Sequence, residues 1–165
     1  MKHGTTRLLA LTILAITIAI PAVAQSPDPS WNVWQRQAYD NLISWRDGAI
    51  DYLNDRGYEF REGDADVGVY DIALVEEGSY VAFERMFYSG NLYFVLASGD
   101  NDIRDLDIFV YDSNGDLIAY DNEIDRDASV LLDDLPTGRY TIVVELYDGA
   151  ASTSWVGWTV LWDRK

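Results

Sequence analysis

DLDIFVYDSNGDLIAYDNEIDRDASVLLDDLPTGRYTIVVELY, residues 105–147, decides the fold. Leu106, Ile108 and Val110 alternate with Asp107, Phe109 and Tyr111. Asp112-Ser113-Asn114-Gly115-Asp116 then turns the chain into 117–120, which is the pattern of a β-hairpin with Asn and Gly supplying positive φ. A second reversal at Pro136-Thr137-Gly138 leads into Tyr140, Ile142, Val144 and Leu146, alternating with Thr141, Val143, Glu145 and Tyr147. Working outward, the same two-residue period covers 67–74, 80–87, 92–98, 129–132 and 154–162. Turn signals at 76–79, 89–91, 99–105 and 148–149 separate these segments. Eight short strands at this spacing predict a mainly β protein, an antiparallel β-sandwich of jelly-roll-like winding, at 64–165.

N-terminal to the strands, Trp31, Trp34, Ala38, Leu42, Trp45, Ala49, Tyr52 and Leu53 recur at helical spacing. They predict one amphipathic α-helix over 31–57 with Asp28 as N-cap, Pro29 as first helical residue and Gly57 as its stop. The stripe is expected to lie across the sandwich, and Gly48 to mark a close approach to a strand. Helix and sandwich are expected to form one globular unit. Residues 25–30 read as a Pro/Ser linker. Residues 1–24 carry Lys2 and Arg7, an apolar run at 8–20 and Ala22-Val23-Ala24, the arrangement of a cleavable secretory signal peptide. The expected location is therefore secreted or periplasmic.

The Tyr-Asp-x-x-Gly turn at 111–115, the apolar segment 117–119, the acidic loop 121–127 and Pro136-x-Gly138-x-Tyr140 together resemble the bacterial pre-peptidase C-terminal domain. The likeness spans the C-terminal half of the expected mature chain. It implies a small sandwich with an accessory or binding role outside the cytoplasm.

Composition excludes more chemistry than it assigns. The chain has no Cys, its one His is His3, and its lysines are Lys2 and Lys165. Beyond residue 24 there is thus no imidazole or thiolate for triad catalysis or for zinc or haem ligation, and no disulfide scaffold. All 28 acidic residues lie beyond the expected signal, and the net charge of the whole chain is −16. Nucleic acid and anionic membrane surfaces are therefore excluded as partners. An acidic surface of this kind fits a high-salt habitat or an ordinary acidic secreted protein.

Two features can carry function. Asp100, Asp102, Asp105 and Asp107 precede the hairpin, and Asp121, Glu123, Asp125 and Asp127 follow it, so the two acidic runs should lie side by side. They form either a structural Ca²⁺ site, since calcium takes carboxylate and carbonyl oxygens in irregular geometry, or a solvated rim. In the last strand, Trp158 and Trp162 alternate with Trp155 on the two faces. These tryptophans either meet the helix and the core or stack on sugar rings. The expected function is a secreted, non-enzymatic binding or accessory module, with a polysaccharide, a protein or an envelope component as ligand. The alternatives are a carboxylate-based glycoside hydrolase and a self-associating structural envelope protein. The oligomeric state is not legible.

Overall fold

The computed structural model describes residues 30–59, 61–62 and 70–164. The signal peptide, most of the linker and Asp28-Pro29 lie outside the described residues. Among the described residues the chain forms α1 (Val33–Asn54) and nine strands: β1 (Arg61–Glu62), β2 (Asp71–Glu76), β3 (Ser79–Phe87), β4 (Asn91–Gly99), β5 (Ile103–Tyr111), β6 (Leu117–Asp121), β7 (Ala128–Leu132), β8 (Gly138–Gly149) and β9 (Thr153–Arg164). β9, β4 and β7 form one antiparallel sheet, with β1 and β2 end to end along the free side of β9. β3, β8, β5 and β6 form the other, in that order. The mainly β sandwich with one helix expected from the alternation is what forms.

Leu106, Ile108 and Val110 of β5 and Ile142, Val144 and Leu146 of β8 are fully buried between the sheets against Val95, Ala97, Val130 and Val156. At one end Phe87 stacks on Tyr93 and Tyr140, with ring centroids 4.1 and 5.4 Å away. The Pro136–Tyr140 motif acquires a physical meaning here. Tyr140 donates its hydroxyl proton to the Pro136 carbonyl at 2.8 Å, closing the passage from β7 in one sheet to β8 in the other. Asp112 organises the β5–β6 turn by accepting the N–H groups of Asn114 (2.8 Å) and Asp116 (2.9 Å), so its carboxyl is held below the usual range. Only Gly115 takes positive φ in that turn (+84°); Asn114 does not, because the Asp112 carboxylate holds its N–H in the turn without it.

α1 crosses the outer face of the β9-β4 sheet, where Ala49, Leu53, Trp45 and Ile50 pack on Leu92, Leu96, Phe94 and Leu161. This second apolar layer explains why 92–97 reads as an almost unbroken apolar run: β4 is buried on both faces. The N-cap is Asn32, not Asp28. Asn32 accepts the Gln35 N–H (2.9 Å) while Gln35 accepts the Asn32 N–H (3.0 Å), a capping box that the N-x-x-Q spacing encodes. At the other end Gly57 adopts φ +86°, and the Tyr58 and Gly57 N–H groups close on the Leu53 and Asn54 carbonyls. Of the predicted stripe, Ala38, Leu42, Ala49 and Leu53 make the buried seam and Trp45 is half-buried; Trp34 and Tyr52 are exposed.

Gly48 has open space around it, and the close approach is made from the strand side. A Cβ on Gly157 of β9 would stand 3.2 Å from the Leu42 side chain. Gly99 is tighter still, because a Cβ there would lie 2.6 Å from the Trp155 carbonyl oxygen. Gly48→Ala should therefore raise stability by up to about 1 kcal/mol through helix propensity alone. Gly99→Ala should lower the midpoint of thermal unfolding by several degrees, on the order of 2 kcal/mol. Calorimetry of the two variants checks both signs.

Candidate functional site

The eight carboxylates of the two acidic runs divide into three groups with different duties. Asp100, only 2% exposed, follows β4 and accepts the N–H groups of Trp155 (2.7 Å) and Asp102 (3.1 Å), tying the end of β4 to the start of β9. Burial pushes its carboxyl above the usual range, and those two N–H groups oppose the shift. The 121–127 segment crosses from one sheet to the other. Asp121 accepts the Ser129 N–H at 2.7 Å and the Glu123 N–H at 3.2 Å, and Asp127 accepts the Ser98 hydroxyl at 2.5 Å. Asp125 accepts the Asp127 N–H at 3.4 Å, and its carbonyl takes the Leu106 N–H at 2.9 Å. The two runs thus meet side by side, as the hairpin requires. Three of the eight carboxylates, those of Asp100, Asp121 and Asp125, accept backbone N–H groups, and among the described residues no group of three or more acids could hold a metal ion.

The third group is different. Asp105 and Asp107 stand in β5 rather than in a loop, and the register sets Asp107 opposite Glu145 and Asp105 opposite Asp148 of β8. Asp107 is 7% exposed and Asp105 5%, and the Asp105 Oδ1 atom is buried without a hydrogen-bond partner. Burial, then the charges of Asp105, Glu145 and Asp121, push the Asp107 carboxyl up to about 6. Burial also raises Glu145. Glu145 and Asp148 were absent from the sequence-derived set; the signal that could have found them is cross-strand register, because β8 is the neighbour of β5 in the sheet.

These acids open onto the outer face of the β3-β8-β5-β6 sheet. Tyr80 of β3 pairs with Glu145, and Phe109 of β5 lies between Val143 of β8 and Tyr120 of β6. Tyr147, two residues beyond Glu145, points to the same side. Tyr80, Tyr120 and Tyr147 are exposed. No described element lies over this face, whereas the outer face of the other sheet is under α1.

The tryptophans expected to meet sugar are placed otherwise. Trp158 is 8% exposed inside the sandwich, stacked on Phe83 at 5.4 Å, and Trp162 is packed half-buried against the same core. Trp155 is half-buried on the opposite side of β9. The alternation was legible, but the face carrying Trp158 and Trp162 is the one turned toward the second sheet.

No protein-family model matches the chain, and no curated protein matches it. The likeness to the pre-peptidase C-terminal domain therefore rests on the turn and strand motifs alone. Similar solved structures include PliG of Aeromonas hydrophila, a periplasmic lysozyme inhibitor of g-type lysozyme. It is 14% identical over 67% of this chain and 90% of its own, with a TM-score of 0.39. Another is a Clostridium perfringens ZmpB structure containing CBM51-2 in complex with GlcNAc and INT domains, 17% identical over 56% of this chain and 21% of its own, with a TM-score of 0.38. At this level of likeness neither bears on what this chain binds. No helix among the described residues is long and apolar enough to cross a membrane.

Two outcomes follow from the acids. Asp100→Ala leaves the Trp155 N–H without its acceptor and should cost about 1–3 kcal/mol, read by denaturant unfolding. Asp107 gives the opposite sign. Its folded pKa lies above the unfolded value, so its contribution is full below about pH 4 and lost as pH rises through about 6. Asp107→Asn should therefore raise the unfolding midpoint at pH 7.5 by roughly 4 °C, on the order of 1 kcal/mol after solvent screening, and the gain should vanish near pH 4.

Proposed function

We propose that this chain is a secreted or periplasmic, non-enzymatic binding module that takes a polysaccharide or protein ligand on the outer face of the β3-β8-β5-β6 sheet. One observation carries the reading. Among the described residues no element covers this broad face of the sandwich, and it presents Tyr80, Phe109, Tyr120 and Tyr147 around the Asp107–Glu145 pair. Tyrosines suit such a role because each offers a large rigid ring at little conformational cost and a hydroxyl at its tip.

The carboxylate pair does not favour hydrolysis. Hydrolysis of a glycoside needs an acid and a base or nucleophile on either side of the scissile bond. Asp107 and Glu145 instead stand on neighbouring strands of one sheet face, with no described element opposite them. A ligand laid on that face meets both from the same side.

The test uses the chain with Tyr80→Ala and Tyr120→Ala combined, two exposed positions whose loss leaves the core intact. Pull-down and titration against a panel of polysaccharides and immobilised proteins should show affinity for the retained ligand falling about tenfold. No new reducing ends should appear with wild type. Unchanged affinity would move the ligand off this face, and turnover of any glycan would replace the binding module with an enzyme.

A further inference from the structure

Resting on that reading, we infer that the Asp107–Glu145 pair is a receptor for a cationic side chain, an arginine or lysine presented by a basic protein partner.

The physical situation of the pair is unusual for a surface. Two carboxylates directly opposite on neighbouring strands destabilise a sheet, and here the conflict is compounded by Asp105 and by Asp148 beyond it. Among the described residues no basic side chain is paired with the centre: of the arginines of this sheet, Arg139 pairs with Glu84 at 2.9 Å, Arg104 with Asp148 at 3.7 Å and Arg85 with Asp71 of β2 at 3.1 Å. Asp107 is more than nine-tenths buried, and Asp105, equally buried, keeps an oxygen without a hydrogen-bond partner among the described residues next to it. The cost of desolvating these anions has already been met in the free protein. An incoming cation would gain their attraction without having to strip them of water.

The surroundings select the kind of cation. Tyr80 lies across from Glu145, Tyr147 follows it two residues on, and Phe109 follows Asp107 two residues on, so aromatic side chains border the pair on β3, β8 and β5. Carboxylates bordered by ring faces suit a guanidinium or an ammonium, which combines charge-assisted hydrogen bonds with cation–π contact. A bare divalent metal would gain nothing from the rings, and among the described residues no metal-holding group of acids exists. The net charge of −16 acts in the same direction at long range, steering a basic surface toward this one. The breadth of the four-stranded face matches a folded partner better than a single amine ligand.

The probe is an oligoarginine peptide of ten residues, titrated at about 0.15 M salt against a citrulline peptide of equal length. Wild type should bind the arginine peptide and not the citrulline one. Asp107→Asn with Glu145→Gln should weaken binding at least about tenfold. Asp40→Asn with Asp51→Asn, which removes the same charge from exposed positions on α1, should change it less than about twofold. The Asp107 variant is expected to fold more stably than wild type at neutral pH, and circular dichroism of the double variant confirms that lost binding is not lost structure. Equal losses in the two double variants would reduce the effect to bulk charge and overturn the inference. Binding of neutral chitohexaose that depends on Tyr80 and Tyr120 but not on Asp107 and Glu145 would also overturn it, while leaving the binding face in place. If the tyrosine substitutions change the binding of nothing in the panel, the inference and the face both fall.

Discussion

The pairing of β4 with β9 is the constraint on which the rest of the structure depends. These two strands share a nine-residue register from Asn91↔Arg164 to Gly99↔Val156, and both contribute to the two apolar layers on either side of their sheet. On one side they face the second sheet, and on the other they hold the helix. Leu96 and Leu161 are fully buried under α1 while Val95 and Val156 are fully buried toward the other sheet. Each such side chain is worth about 1.5–3 kcal/mol on burial, so the pair anchors both apolar layers at once. Leu42 settles over Gly157 because a larger residue there would hold the helix off the sheet.

That arrangement decides where a ligand can be met. α1 covers the β4–β9 centre of one sheet's outer face, whereas no described element covers the outer face of β3-β8-β5-β6. The asymmetry also sorts the aromatics. Trp158 and Trp162 of β9 turn toward the second sheet and Trp155 away from it, while the rings of β3, β5, β6 and β8 that alternate away from the core have no described element above them. The acidic loops belong to the same logic. Asp121 and Asp127 accept protons from Ser129 N–H and the Ser98 hydroxyl where the chain passes between sheets, so they tie together the edge of the sandwich that no strand pairing closes.

Much of this was legible in the residues. Strict alternation in 106–111 and 140–147 marks strands with one face in the core, and β5 and β8 sit that way, although Asp107 and Val143 on the other face are buried as well. The helix was legible from its period, though its start was not: the capping box at Asn32 lies four residues beyond the Asp-Pro pair that looked like the stronger signal. Two things were not legible. The sidedness of β9 depends on which sheet the helix covers, and a strand apolar on both faces carries no mark of it. The Asp107–Glu145 contact joins residues 38 apart, and it follows from the strand order β8-β5-β6, which no local pattern states.

The hairpin does bring the two acidic runs side by side, but their eight carboxylates do not share one duty. Within β5, Leu106 and Ile108 point into the core and Asp107 points out, while residues of the connecting segments spend their oxygens on backbone N–H groups that would otherwise be buried and unpaired. What survives without a donor is therefore small: Asp107, one oxygen of Asp105 and the half-buried Glu145 beside them. Carboxylates that serve the fold are those that have found donors, as Asp100 has in Trp155 and Asp102. A buried carboxylate beside like charge and without a donor works against the fold at neutral pH, and a cation brought to it would relieve that cost.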